Sequence, residues 1–255
     1  MPEYNDNAIC DYVMQTNSDY YCSLKDNWLL LYGNSDGIPK LLVFVNKTEN
    51  MSPASEEEKY NINLGCKIAH FLKLPFMCVR FMPHNEQLSV WESKTWKNLT
   101  YDRLRDLFEK YGVVEAGTAK KAVNQYLSSS YHDWQRNNLG RITVCDLDMI
   151  QYKENRIAKI VELKRSEKSL DIWKPYPADY PNFSIVINAI VHSGEEIPFF
   201  LYYNYSQKIS AQERLDDISE IRVFQFEIPE QMIKHNELQY RDHGNHTIDE
   251  VLLNF

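Results

Sequence analysis

Two hydrophobic periods alternate along this chain, one of about two residues and one of about three and a half, and they change places in a regular order. After a weakly helical segment through about Tyr20, Trp28-Leu29-Leu30-Leu31-Tyr32 forms a short apolar run closed by Gly33-Asn34-Ser35-Asp36-Gly37, which predicts a strand and a turn. Lys40 to Asn46 (KLLVFVN) predicts a second strand of the kind found inside a sheet. A polar loop with Pro53 and Glu56-Glu57-Glu58 leads into a helix, because Leu64, Ile68, Phe71 and Leu72 recur at helical spacing. Pro75 ends it. Phe76–Phe81 and Leu88–Trp91 read as further strands, and a helix follows near Tyr101–Tyr111.

The order then begins again. Ala119–Trp134 reads as a helix and Ile142–Tyr152 as a strand. A polar turn at Lys153-Glu154-Asn155 leads to a strand at Ile157–Lys164, a helix at Asn182–His192 and strands at Pro198–Tyr205 and Ile221–Phe226. KLLVFVNKTE is similar to AKIVELKRSE, and LPFMCVRF to IPFFLYYNY. An internal duplication is therefore expected, with Val45 matching Glu162 and Lys47 matching Lys164, so that the first half lacks a carboxylate and holds no second site. The alternative is ordinary reuse of helix–strand pairs in an α/β protein. The expected division is an accessory α/β half over 1–115, a core over 116–229 and an extension over 230–255.

Composition narrows the class. The 255 residues, 44% of them hydrophobic and 13% aromatic, can bury a sizeable core and do not describe a disordered chain. Five cysteines without a CxxC pair suit reduced thiols in a cytoplasmic protein. The sequence opens with no basic, then apolar, leader, and no apolar run approaches the roughly 20 residues that cross a bilayer, so no membrane partner is expected. A net charge of −8 argues against coating nucleic acid by bulk attraction. Residues 118–174 nevertheless hold 11 Lys/Arg against 7 Asp/Glu, a local surplus of +4.

That surplus surrounds the candidate chemistry. Side chains alternate along a strand, so in Ile160-Val161-Glu162-Leu163-Lys164 the two charged residues share a face. Asp148 lies in Val144-Cys145-Asp146-Leu147-Asp148-Met149-Ile150, and the turn at 153–155 folds that strand back beside Glu162. Two carboxylates at short range form a hard oxygen site for Mg²⁺, completed by water and phosphate oxygens. A neighbouring lysine can orient or deprotonate the attacking water, the ion and partial burial favouring its neutral form. The chain holds three E-x-K triplets, and only Glu162-Leu163-Lys164 lies on an apolar strand with an upstream aspartate on another strand. The competing reading is a buried Glu–Lys pair that serves structure alone.

Asp148-Met149-Ile150-Gln151-Tyr152 followed by Ile160-Val161-Glu162-Leu163-Lys164 resembles the metal-binding motif of the PD-(D/E)XK nuclease superfamily. Tyr131, Trp134 and Arg136 ahead of Asp146 and Asp148, with Ile197-Pro198-Phe199-Phe200, are similar to a small bacterial and phage group within it. The resemblance covers about Ala119 to Pro229. It implies a restriction-endonuclease-like αβββαβ core with a mixed sheet flanked by helices, Mg²⁺ (replaceable by Mn²⁺), and phosphodiester cleavage. Asp148, Glu162 and Lys164 would be catalytic, the first two holding metal. Many members add an acid from the first helix, yet 119–130 contains none. Glu115 and Asp133 flank it, and Asp146, expected to share a face with Asp148, is the best-placed auxiliary ligand. Arg136, Arg141 and Lys168 are candidate phosphate contacts. His132 and Trp134 are candidates for stacking or proton transfer, and His235, His243 and His246 read as surface. The leading expectation is an endonuclease acting on DNA in restriction, phage defence or repair, as a homodimer or an intramolecular pseudo-dimer. The alternative is a catalytically idle nucleic-acid-binding or assembly module on the same fold.

Overall fold

The computed structural model describes residues 7–17, 19–23, 26–48, 54–82, 87–92, 94–114, 130–210 and 214–255. Most of the expected helix at 119–134, together with Glu115, lies outside them. The chain forms two compact units. The N-unit is Asp26–Asp146, and the C-unit is Leu147–Phe255 joined by Met1–Lys25. Both are mixed α/β units whose mainly antiparallel sheet is flanked by helices.

The chain opens with α1 (Ala8–Thr16) and β1 (Tyr20–Cys22), which belong to the C-unit. The N-unit follows with β2 (Asn27–Gly33), β3 (Pro39–Lys47), α2 (Glu56–Phe71), β4 (Phe76–Phe81), β5 (Gln87–Glu92), β6 (Thr95–Thr100), α3 (Tyr101–Lys110), α4 (Ser130–Asn138) and β7 (Thr143–Asp146). Its sheet runs β6-β5-β4-β3-β2-β7, and β3–β4 is its parallel pair. A parallel connection needs a crossover, and α2 supplies it. Ser55 caps α2 by accepting the Glu58 N–H at 3.1 Å, with Glu56, Glu57 and Glu58 in its first turn. Leu30, Tyr32, Val43, Val45, Met77 and Val79 face Leu104 and Phe108 of α3 and Tyr131 of α4 across one core.

The C-unit continues with β8 (Met149–Lys153), β9 (Arg156–Ser166), α5 (Tyr180–Ser193), β10 (Phe199–Lys208), β11 (Arg214–Phe226), β12 (Tyr240–His246) and α6 (Ile248–Asn254). Its sheet runs β1-β8-β9-β10-β11-β12, with β9–β10 parallel and α5 as the crossover. Met149, Val161, Leu163, Phe200, Tyr202 and Val223 pack against Ile9, Cys10 and Val13 of α1 and Val251 of α6. The β8–β9 hairpin turns on Glu154 and Asn155, both at positive φ (53° and 59°), the primed geometry that matches the twist of paired strands.

The two sheets share one wiring: two antiparallel pairings, a parallel one, then two antiparallel ones. Their parallel pairs are locked by the same bond, Leu42 N–H to Pro75 O (3.0 Å) in one and Ile160 N–H to Pro198 O (3.1 Å) in the other. That register sets Phe44 against Glu162 and Asn46 against Lys164, one residue away from the Val45 and Lys47 expected from the strings.

Three other expectations change. Ile142–Tyr152 is two strands in different sheets, β7 and β8, because the chain leaves one sheet after Asp146 and joins the other at Met149. The polar edge strands β6 and β12 and the closing helix α6 were not expected at all. The compact units divide at 25/26 and 146/147, whereas the sequence suggested 115/116 and 229/230.

Candidate active site

Strand alternation builds the site on the C-unit. Val161 and Leu163 turn into the core shared with α1, so Glu162 and Lys164 project to the opposite side of β9. Glu162 is buried, and Lys164 Nζ lies 2.9 Å from its Oε1. Asp148 stands immediately before β8, whose register with β9 begins at Met149 opposite Val161. Its Oδ2 accepts the Leu163 N–H at 2.8 Å, which fixes the carboxylate against the middle of β9. The sequence-predicted trio is therefore brought together within one unit.

Electrostatics set the state of the lysine. Burial opposes an ammonium at Lys164, but the charges of Glu162 and Asp148, the hydrogen bond to Glu162 and the charge of Asp179 outweigh it, raising its pKa above the ordinary lysine value. The amine is thus protonated in this geometry. Burial alone therefore does not yield the neutral base; the expectation of one rests on a divalent cation held by the same two carboxylates. Phe183 of α5 places its ring 5.7 Å from Nζ. Tyr203 of β10 stands in register with Lys164 and stacks on Trp173 at 4.1 Å and 7°. Its hydroxyl donates to the Lys168 carbonyl at 2.6 Å, tying the chain that leaves β9 back to the sheet. Trp173, Asp179, Phe183 and Tyr203 were missed by sequence reasoning. Asp179, just ahead of the apolar α5, was the member with a readable signal.

The candidate donors for a hard cation are few. Among the described residues no group of three or more His, Cys, Asp or Glu side chains could hold a metal ion, and Asp148 and Glu162 are the two carboxylates beside Lys164. Mg²⁺ is commonly held by one or two carboxylates with water and phosphate oxygens completing its octahedron, and Asp148 and Glu162 are donors of that chemical type.

The remaining candidates separate. Asp146 ends β7, opposite Leu30 in the N-unit sheet, and its charge acts on Tyr32 there. It does not share a strand face with Asp148, since the two residues belong to different sheets, so the alternation argument for Asp146 as a ligand falls. Arg136 and Arg141 are exposed residues of the N-unit, ahead of β7 and not of the strand that follows Asp148. Lys168 is exposed on the C-unit, its Nζ 4.9 Å from the centre of the Tyr176 ring. Trp134 packs among Tyr101, Phe108 and Tyr131 as a core aromatic. The His132 side chain lies outside the described residues. His243 and His246 are half-buried around Phe255 (ring centres 4.9 and 4.8 Å apart), so of the tail histidines only His235 is exposed.

In the N-unit, Leu29 pairs with Phe44 at the register position where Asp148 precedes the β8–β9 pairing in the C-unit, and Asn46 stands at the position of Lys164. Arg80, in the place of Tyr203, donates to both oxygens of buried Glu58 (2.6 and 2.5 Å) under the Trp96 ring at 4.2 Å.

No family model matches this chain, and no curated protein does. Among solved structures, a sex pheromone precursor from Lactobacillus salivarius aligns at 12% identity over 86% of this chain and 69% of its own, with a TM-score of 0.16. A putative phenazine biosynthesis PhzC/PhzF protein from Clostridium difficile aligns at 11% identity over 87% of this chain and 98% of its own, with a TM-score of 0.15. Likeness this weak carries no argument about fold or function.

Proposed function

We propose that the chain is a Mg²⁺-dependent endonuclease of the PD-(D/E)XK type, hydrolysing phosphodiester bonds in DNA in the cytoplasm. The observation that supports this is the convergence of Asp148 and Glu162 on Lys164 at one side of a hairpin. In the finer fold reading the expected core over 116–229 changes membership: residues up to Asp146 belong to the N-unit, and α1 and β1 stand in the C-unit ahead of β8, β9, α5 and β10 to make up the αβββαβ order. In the same reading the N-unit is the degenerate copy of an intramolecular pseudo-dimer.

Asp148 and Glu162 would hold Mg²⁺, which when bound polarises the phosphate and acidifies a coordinated water. The protein's own groups define the rest. The Leu163 N–H holds Asp148 in place, so the carboxylate needs no rearrangement before substrate arrives. Lys164, 2.9 Å from Glu162, is placed to offer N–H donors to the phosphoryl oxygens on which negative charge grows, or to handle the attacking water. Lys168, exposed beyond the end of β9, is the phosphate contact on the same unit.

The 2.9 Å ion pair favours one rival reading, in which Lys164 and Glu162 satisfy each other in an idle nucleic-acid-binding module. Incubating plasmid, single-stranded DNA and RNA with Mg²⁺ or Mn²⁺ separates the two. Hydrolysis by the wild type should fall by at least ~100-fold in Asp148→Ala and Lys164→Ala. Binding without hydrolysis would establish the rival, and equal hydrolysis by all three proteins would place the chemistry elsewhere.

A further inference from the structure

The shared wiring identifies which N-unit residues stand at the positions of the trio. Leu29 takes the place of Asp148, Phe44 that of Glu162 and Asn46 that of Lys164, from the β2–β3 and β3–β4 registers matched to β8–β9 and β9–β10. Leu29 and Phe44 are 1% and 0% exposed, so this is a filled apolar core and no side-chain rotation can turn it into a carboxylate pair. The charged groups nearest in the pattern, Glu58 and Arg80, are bound to each other. A cut through both strands of a duplex in one event needs two hydrolytic centres, one for each scissile phosphate. Among the described residues, this chain has the Asp–Glu–Lys set for one.

We propose that the chain is a nicking enzyme: one hydrolytic centre serves two units, and each encounter breaks one strand of duplex DNA. The inference rests on the nuclease reading of Asp148, Glu162 and Lys164 and adds the outcome of the reaction. In the step itself, water oxygen bonds to phosphorus and one phosphorus–oxygen ester bond breaks. The departing sugar oxygen takes up a proton as water gives one up, leaving a phosphomonoester and a hydroxyl on one strand while the other stays intact.

Supercoiled plasmid with the full chain and Mg²⁺ provides the test. Open circles should be the first product, formed in proportion to protein, with linear DNA appearing only after a lag, from independent second nicks. Linear DNA rising from the first time point in step with the loss of supercoils would overturn the inference while sparing the nuclease reading, as would cleavage confined to single strands. Hydrolysis of no substrate at all would strike the nuclease reading itself, and this inference with it. The asymmetry between units has its own check. Lys164→Ala should lower nicking by at least ~100-fold, whereas Asn46→Ala at the matching N-unit position should leave it within about twofold. Equal losses in the two variants would mean that both units work.

Discussion

Two lysines on β9 illustrate how little of a residue's chemistry belongs to the residue. Lys164 projects toward Glu162 and Asp148, and its pKa rises despite burial. Lys159, on the opposite face, lies between the rings of Tyr20 and Tyr202 (5.5 and 5.7 Å) and donates to the Phe255 carbonyl. There burial, with the charge of Lys153, pulls the pKa down to about 8 from 10.5. A lysine whose folded pKa is depressed destabilises the fold in full below about pH 8, because the unfolded chain holds the proton more tightly. That penalty fades as pH rises toward 10.5. Lys159→Met should therefore exceed wild type in stability at pH 7, by at most ~3 kcal/mol, with the gap closing by pH 10.5 in urea titrations. A gap independent of pH would refute this. Alternation alone made Glu162 and Lys164 legible as neighbours. The direction of the Lys164 shift was not legible, since it turns on how far the charges of Glu162 and Asp148, with a smaller share from Asp179, outweigh burial.

At the scale of elements, the apolar runs were readable because burial and period coincide: β2 and β4 are almost wholly buried, and β3 and β9 each hold an unbroken buried run of five residues. The edge strands β6 (TWKNLT) and β12 (YRDHGNH) escaped notice because an edge carries polar side chains over a paired backbone. The break between β7 and β8 was hidden for the opposite reason. Leu147 is buried, so the apolar pattern runs unbroken through the point where the chain changes sheets. Close approach of elements is likewise invisible in a string. A Cβ on Gly65 of α2 would lie 2.6 Å from the Phe76 ring of β4, and that ring is already placed edge-on to Trp91 at 5.9 Å. Gly65→Ala gains about 1 kcal/mol of helix propensity, but the displaced ring and neighbours cost about 1–3 kcal/mol. A net loss in thermal or urea stability is expected. The added variant Phe76→Leu, which removes the obstructing ring, should recover part of it. A stabilised Gly65→Ala would show that α2 shifts freely over β4.

For the whole molecule, the repeated order of elements was legible, but their partners were not. A hydrophobic strand records that it is covered and says nothing about which neighbour covers it. Each half of the sequence has a helix and a short strand, α1–β1 and α4–β7, that pair with the sheet built mainly from the other half. Tyr20–Cys22 pairs with Met149–Gln151 on β8, and Thr143–Asp146 pairs with Leu30–Gly33 on β2. The arms are anchored: Ile9 and Val13 are fully buried in the C-unit core, and Tyr131 is fully buried in the N-unit core, where the Tyr32 hydroxyl donates to Gln135 at 2.5 Å. Fully burying such side chains contributes roughly 1.5–3 kcal/mol each, enough to retain an arm without a covalent link. The chain consequently passes between units at 25/26 and again at 146/147. A protease site inserted after Gly117 separates the two halves in sequence yet leaves each unit built from both fragments. The cleaved chain should elute at the mass of the intact one, melt within a few degrees of it, and part only in denaturant. Under an unexchanged arrangement the same cut would release two independent units at native pH, and recovery of separate fragments by gel filtration would rule the exchange out.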